Sequence, residues 1–543
     1  MTLALYRSET TPVLDLPDVG VLIGHVFDRS GGLITDSAKL PNLRDASRMG
    51  AYLLANCWGD YVVIQPSAED SGFTAMSAPS CSSTLPCLYS FHDGRGFLTS
   101  STVLPGQFGL YRRQVDWDYV AQFLMYPFLK TERCPLAGIN ELLPGMLARF
   151  SKAGVSTELA WTPWDFVAPG NRYAEFCDAA NSVHNAVSTA LKGFSTVDRS
   201  ILLELSGGLD SSIVGIGLLD AAAAVFCSTL VAPVPGADER LYADLVAERL
   251  QTPLRITHLP VESARFSFED ASDPVRPGVG PLQYAIDSVM GADAGALGVD
   301  SAYSGGGGDT VFSYLRTAAP AVDALRERGP LAGLRSIQDL AKLHQCSVWR
   351  ALQLTIRKHL RSPRAPYQPD TTFLMPSVLD NTGMEHPWHH PPADALPGDR
   401  ERIFELAGSQ IFMDYLPRRA KRFLRMPLLS QPVMEACLRT PSWMWISGGQ
   451  NRAVARAAFA DSLPADILSR RSKGSFMSYL GEVYERNKAS MLDFLLSGNL
   501  RSHGILDPVA LQRFVGTKLP PRDRTFTRVM DLCRVENWTR QQG

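Results

Sequence analysis

The sequence predicts an α/β protein in which a β-rich portion, residues 1–165, precedes a doubly wound, mostly parallel α/β domain, residues 166–543, with a helical C-terminal half. Three observations lead there. Residues 201–205, ILLEL, are a strand-like run; Ser206, Gly207 and Gly208 then turn the chain, and apolar residues resume through Ile213, Val214, Ile216 and Leu218 as in a buried helix. Beyond it, strands at 224–231 and 254–259 flank an amphipathic helix at 238–250. Such alternation builds a parallel sheet that binds ligands beyond the carboxyl ends of its strands. Before residue 165, short strands dominate: 19–24, a turn and strand over 56–64, and 96–100. One helical stretch lies at 46–56, and Pro144-Gly145 turns into a last strand.

A chain of 543 residues exceeds one ordinary core, so two or more domains are expected. Trp161-Thr162-Pro163-Trp164 and Ala168-Pro169-Gly170 read as the linker, and 173–194 as a helix leading to the central strand. A formal net charge of -2 gives no electrostatic case for a nucleic-acid or membrane-surface partner. Nine scattered cysteines with no CxxC fit reduced thiols in a cytoplasmic protein, not a zinc site. Glu9, Asp15 and Asp18, with no apolar core, argue against a signal peptide; Asp220 and Pro233 interrupt the most apolar stretch, 218–234, which argues against a membrane span.

The turn after the 201–205 strand suits a phosphate. Its glycines let backbone N–H groups approach an anion, a helix start adds unpaired donors, and Ser206, Ser211 and Ser212 add hydroxyls. Asp210 would repel a bare phosphate, so it points to Mg2+ between carboxylate and pyrophosphate. No Gly-Lys-Ser/Thr follows, so this is not a Walker A loop. A second glycine-rich string, Ser304-Gly305-Gly306-Gly307-Gly308-Asp309, runs at once into an aspartate and an apolar helix, which a flexible linker would not.

The string Ser-Gly-Gly-x-Asp-Ser-Ser at 206–212 resembles the pyrophosphate loop of ATP pyrophosphatases, which implies cleavage of ATP between the α- and β-phosphates and adenylation of a substrate oxygen. Together with the Gly59-Asp60-Tyr61 and 97–100 strands and the Leu143-Pro144-Gly145 turn, it resembles the asparagine synthetase family. The resemblance implies a class II glutaminase-like sandwich of two sheets at the N-terminus. Working glutaminases of this type expose an N-terminal cysteine; this sequence reads Met1-Thr2-Leu3 with no cysteine before Cys57, so a degenerate scaffold inactive on glutamine is expected. Ser304, Gly305, Gly307 and Asp309 match the family's Ser-Gly-Glu-Gly-x-Asp-Glu, which implies that Asp309 shares the magnesium ion with Asp210. Gly306 replaces the glutamate and Thr310 the following acid, and the loss is expected to make room for a substrate bulkier than aspartate while leaving no named general base.

Further on, Arg425, Pro427 and Leu429 match Ala-Arg-Val-Pro-Phe-Leu-Asp, with Ser430 in place of the acid, and 451–468 matches the helix before the last signature. There the resemblance implies that Lys473 reaches the leaving pyrophosphate, where a cation is needed. The implied catalytic set is Lys473, Asp210 and Asp309, and the implied ATP site is Leu205, Ser206, Gly207, Gly208, Asp210, Ser211, Ser212, Leu230, Ser304, Gly305 and Lys473, with Mg2+ on Asp210 and Asp309.

Within the family, the disabled glutaminase, the glycine-rich second motif and the length look most like the lasso-peptide macrolactam synthetases. In those enzymes ATP adenylates an Asp or Glu side chain of a precursor peptide, and the peptide's own N-terminal amine closes an isopeptide ring. A leader peptidase and a leader-recognition protein are the implied partners. Three other readings stand beside it: a β-lactam synthetase-like cyclase of a small amino acid derivative, an ammonia-dependent asparagine synthetase, and a nucleotide-binding scaffold without catalysis. His386-Pro387-Trp388-His389-His390 reads as a substrate-facing loop and not a metal site, and also looks like an element of lasso cyclases.

Overall fold

The computed structural model describes residues 5–6, 11–43, 45–67, 72–236, 238–269, 274–314, 316–361, 367–378, 385–415, 423–471, 474–520 and 522–542. Met1-Thr2-Leu3 and Lys473 lie outside the described residues.

The β-rich portion forms strands β1 (Val13–Leu16), β2 (Gly20–Asp28), β3 (Cys57–Pro66), β4 (Phe73–Ser77), β5 (Cys87–His92), β6 (Arg95–Thr99), β7 (Asn140–Leu142), β8 (Met146–Ser151) and β9 (Gly154–Leu159). They pair antiparallel in a six-stranded sheet, β1-β2-β3-β4-β8-β9, and a three-stranded sheet, β6-β5-β7. Strand β3 is buried on both faces. Val62 and Ile64 pack with Tyr89 and Leu142 of the smaller sheet, while Tyr61 and Val63 pack with Met49 and Leu53 of the helix Ala46–Asn56. Asp45 caps that helix, accepting from the Arg48 N–H at 2.8 Å. The strand follows the helix directly, without the expected turn at Asn56.

The second region holds a five-stranded, all-parallel sheet: β10 (Ser200–Glu204), β11 (Ala224–Val231), β12 (Leu254–His258), β13 (Ser301–Ser304) and β14 (Phe423–Arg425), in the spatial order β12-β11-β10-β13-β14. The first strand lies in the middle, and the chain builds outward on one side and then the other. The reversal point falls between β10 and β13, whose carboxyl ends both run into glycine-rich turns. Helices dominate the chain beyond β13, and among the described residues none is long and apolar enough to cross a membrane.

Three expectations need correction. The 161–164 segment, read as part of the linker, is packed into the interior: Trp161 and Trp164 are buried, and their indole N–H groups donate to Glu435 at 3.2 Å and to the Trp388 carbonyl at 2.9 Å. Phe27 and Trp58 stack at 4.5 Å and meet Phe194 of the helix Phe176–Val197 edge-on, so one apolar core runs through both regions. Second, 451–468 is two short helices, Ala453–Ala458 and Ala465–Ser469, because the second begins after Pro464, which cannot sit inside a helix without losing a hydrogen bond. Third, the histidine stretch is not an exposed loop at its start. His386 is buried, its Nδ1 accepts from the Trp388 N–H at 3.0 Å, its Nε2 meets Gln410 at 3.2 Å, and burial pushes its pKa down to about 3, which keeps it neutral. His390 at the other end is exposed and meets Glu385 at 3.3 Å.

Arg425, at the end of β14, is also structural. Its buried guanidinium donates to Asp198 Oδ1 at 3.0 Å and to Asp60 of β3 at 3.2 Å, and Tyr303 donates to the same Asp198 at 2.8 Å. This tie fixes β13 and β14 against the β-rich region.

Candidate active site

The first turn grows out of β10. Leu205 still donates its N–H to Ser228 of β11 at 2.8 Å; Ser206 to Gly208 then reverse the chain, and the helix Leu209–Ile216 starts with every residue buried and no side-chain cap. Its opening N–H groups therefore point into the cleft with the positive end of the helix dipole. Ser206 and Ser211 face each other there, Oγ to Oγ 3.1 Å. Ser212 does not face the cleft: it is buried and its hydroxyl donates to the Gly208 carbonyl at 2.8 Å, bracing the turn.

The second turn packs directly on the first. A Cβ on Gly305 would lie 2.4 Å from the Ser211 nitrogen, and a Cβ on Gly308 would lie 2.4 Å from the Asp210 Cγ. The glycine run is thus a close approach of two backbones. That contact brings the two aspartates to one place. Arg452 Nη1 donates to both Asp210 oxygens and to Asp309 Oδ1, each at 2.9 Å. Arg452 itself sits in the left-handed region, φ 53°, with its guanidinium over the Tyr314 ring at 5.2 Å.

Sequence reasoning missed Arg452. It stands at the start of a segment read as one helix, with no spacing that ties it to either glycine turn. Two more guanidinium groups join it. Arg470 donates to the Gly207 carbonyl at 2.8 Å and pairs with Glu239, and Arg456 lies beside it, its pKa lowered to about 10 by burial and by Arg452. Gly474 donates its N–H to the same Glu239 at 3.0 Å.

These groups enclose a cleft of about 270 Å³, lined among others by Leu205, Ser206, Gly208, Asp210, Ser211, Leu230, Ser304, Gly305 and Arg452. Neither Gly207 nor Ser212 lines it. Asp309 opens onto a second, larger cavity of about 1210 Å³. A recess of about 300 Å³ shares Arg456 and Arg470 with the cleft and Tyr314 and Arg316 with the cavity, so it lies between the two. The large cavity also holds Glu405. Glu405 is exposed at the cavity wall, and partial desolvation there, with Glu401 close by, raises its pKa to about 7.

The room expected from the loss of a glutamate at 306 is filled. A Cβ on Gly306 would meet the Met426 side chain at 2.9 Å. The larger open space lies past Asp309 instead.

The donor set fits a magnesium ion that arrives with a nucleotide. Two carboxylates close enough to share one nitrogen can each give an oxygen to an octahedral cation, and phosphate oxygens and water would complete the shell. Among the described residues no cluster of three or more His, Cys, Asp or Glu side chains is placed to hold a metal alone. Cys57 is buried at the start of β3 and its thiol is pushed up to about 11.

No curated protein matches the sequence. The sequence profile of the asparagine synthase family matches residues 182–540, a span that begins in the helix before β10 and takes in both glycine turns, Arg425, Arg452 and Arg470. With most of its length matched, and with the matched part carrying the paired aspartates at the reversal point of a parallel sheet, the chain belongs to the asparagine synthase family.

Proposed function

We propose that this protein is an ATP-dependent, AMP-forming ligase that closes a macrolactam ring in a ribosomal lasso-peptide precursor. Residues 1–165 are read as a degenerate glutaminase-like scaffold and 166–543 as the catalytic domain. The observation that carries the reading is the cavity of about 1210 Å³ onto which Asp309 opens, beside the small cleft at Asp210, which suits a peptide far better than a free amino acid. That size also weighs against a cyclase of a small amino acid derivative.

In this reading the Ser206 and Ser211 hydroxyls and the opening N–H groups of the helix Leu209–Ile216 orient the triphosphate of ATP. Asp210 and Asp309 would hold Mg2+, which would supply positive charge at the phosphates. Arg452, Arg456, Arg470 and Lys473 add to it as pyrophosphate departs. The peptide's Asp or Glu carboxylate takes the α-phosphoryl group. Its own N-terminal amine then attacks the activated carbonyl: a C–N bond forms, the C–O bond to AMP breaks, and the amine's proton passes to Glu405, which near pH 7 can both accept and release it. Holding amine and carbonyl on one folded peptide makes the step intramolecular. A leader peptidase must free the amine beforehand, and a leader-recognition protein would deliver the precursor.

The test is direct. Candidate precursor peptide, ATP and Mg2+ should give a product lighter by one water, together with ATP–pyrophosphate exchange that depends on the peptide carboxylate. Exchange with free aspartate and none with any peptide would overturn the reading.

A further inference from the structure

The large cavity is not electrically neutral. Its walls carry Arg316, Arg326, Arg350, Arg357, Lys358 and Arg400 against Asp309, Glu401 and Glu405, in a chain whose formal net charge is -2. Much of this charge comes from one element, the helix Val348–Leu360. Arg350, Leu354 and Arg357 follow one another at i, i+4 and i+7, so one face of that helix turns two guanidinium groups and an apolar side chain toward the cavity. Only Lys358 on that helix is neutralised by a described carboxylate, Glu401 at 2.6 Å. Arg350 and Arg357 form no ion pair with a described residue, and both are exposed. Crowding of like charge is visible further round the wall, where burial and the proximity of Arg326 lower the Arg400 pKa.

Two structural roles could explain basic residues on this helix. Those in its last turn complement the helix dipole, and the ion pair to Glu401 fastens the helix to its neighbour. Neither accounts for Arg350 in the first turn, where a positive charge opposes the dipole, nor for Arg316, which lies outside any helix. The apolar groups interleaved with them, Leu354 on the helix and Phe404 opposite, suit a peptide better than a bare phosphate chain.

We propose that this cavity is a binding site for an acidic peptide segment, whose carboxylates lie against Arg350, Arg357 and Arg316 while its apolar side chains cover Leu354 and Phe404. The inference rests on the peptide-ligase reading above and narrows its substrate class: the precursor carries carboxylates beyond the one that enters the ring. Such a site has a second consequence. An α-amine with an ordinary pKa of about 7.7–8.0 becomes easier to deprotonate among uncompensated guanidinium groups, so the same charges favour the neutral, nucleophilic amine.

Fluorescence anisotropy with the full chain and no ATP tests the site. Three labelled peptides of one length and apolar pattern would be compared, bearing glutamate, glutamine or lysine at the variable positions. The glutamate peptide should bind about tenfold tighter than its glutamine isostere, with the preference shrinking as salt rises. The double reversal Arg350→Glu/Arg357→Glu should lose that preference and favour the lysine peptide, a gain that an unfolded variant cannot show. Equal binding of glutamate and glutamine peptides, an unreversed preference in the double variant, or a polyphosphate that displaces the glutamate peptide while binding more tightly would each overturn the proposal. Because this assay reads binding without ATP, a missing ring product alongside an intact carboxylate preference would sink the ligase reading and leave this site standing.

Discussion

The two chambers beyond the parallel sheet are built in opposite ways. The small cleft comes from two glycine turns at the ends of adjacent strands, packed so closely that a single methyl group on Gly305 or Gly308 would collide with the other turn. The large cavity is assembled from helices inserted between β13 and β14, and its walls keep exposed arginines and an apolar helix face. Tight, backbone-defined geometry suits a group that is the same in every turnover, the triphosphate. A roomy, side-chain-defined chamber suits the part of the reaction that differs between relatives. Changes in the first should therefore stop activation of any carboxylate, and changes in the second should alter which partner is accepted or how the amine attacks.

The largest effect is expected at the cation position. Asp210→Asn should lower ATP–pyrophosphate exchange by about three orders of magnitude, since one of two protein charges facing the metal is lost. Gly308→Ala should come next, about a hundredfold lower exchange, because the added methyl displaces the Asp210 carboxyl. If Gly308→Ala keeps full exchange, the close approach of the two turns has no role in catalysis.

Glu405→Gln should divide the reaction. Exchange should persist while ring closure falls by about 10²–10³-fold, and the rise of the wild-type rate through about pH 7 should flatten. The sign of the stability change is also fixed. Glu405 has a pKa raised in the folded state, so unfolding releases its proton at any pH between the ordinary carboxyl value and about 7, and native stability falls as pH rises through that window. Glu405→Gln should therefore raise the melting temperature at pH 8 relative to wild type and change it little at pH 4.

Arg452→Met tests whether that guanidinium holds the place a cation takes with nucleotide. Without metal, two carboxylates would face each other without it, and stability should drop by about 2 kcal/mol; Mg2+ with ATP should restore part of the loss. A drop that Mg2+-ATP leaves unchanged would show the arginine to be structural only. The smallest effect is expected for Gly306→Ala, a few-fold at most, because Met426 is flexible and can move aside.

The parallel sheet and its first glycine turn were legible in the sequence because each rests on local signals: buried strands read as unbroken apolar runs, and a Gly-Gly between strand and helix permits only a sharp turn. The meeting of Asp210 with Asp309, ninety-nine positions apart, was reached only through a resemblance, and Arg452 through neither route. The histidine stretch shows the converse. Its Pro-rich composition suggested a loop, yet His386 is held in the interior by Trp388 and Gln410.

By itself, then, the sequence determined where strands end, where the chain must turn and which residues carry charge or hydroxyl groups, since these follow from side-chain size, backbone freedom and periodicity within a few residues. Tertiary structure alone decided that one guanidinium bridges two distant aspartates, that Met426 fills the space beside Gly306, and that the Glu405 pKa is raised to about 7. Each of those depends on which atoms exclude water from a given point, and that is set by packing between segments that no local pattern relates.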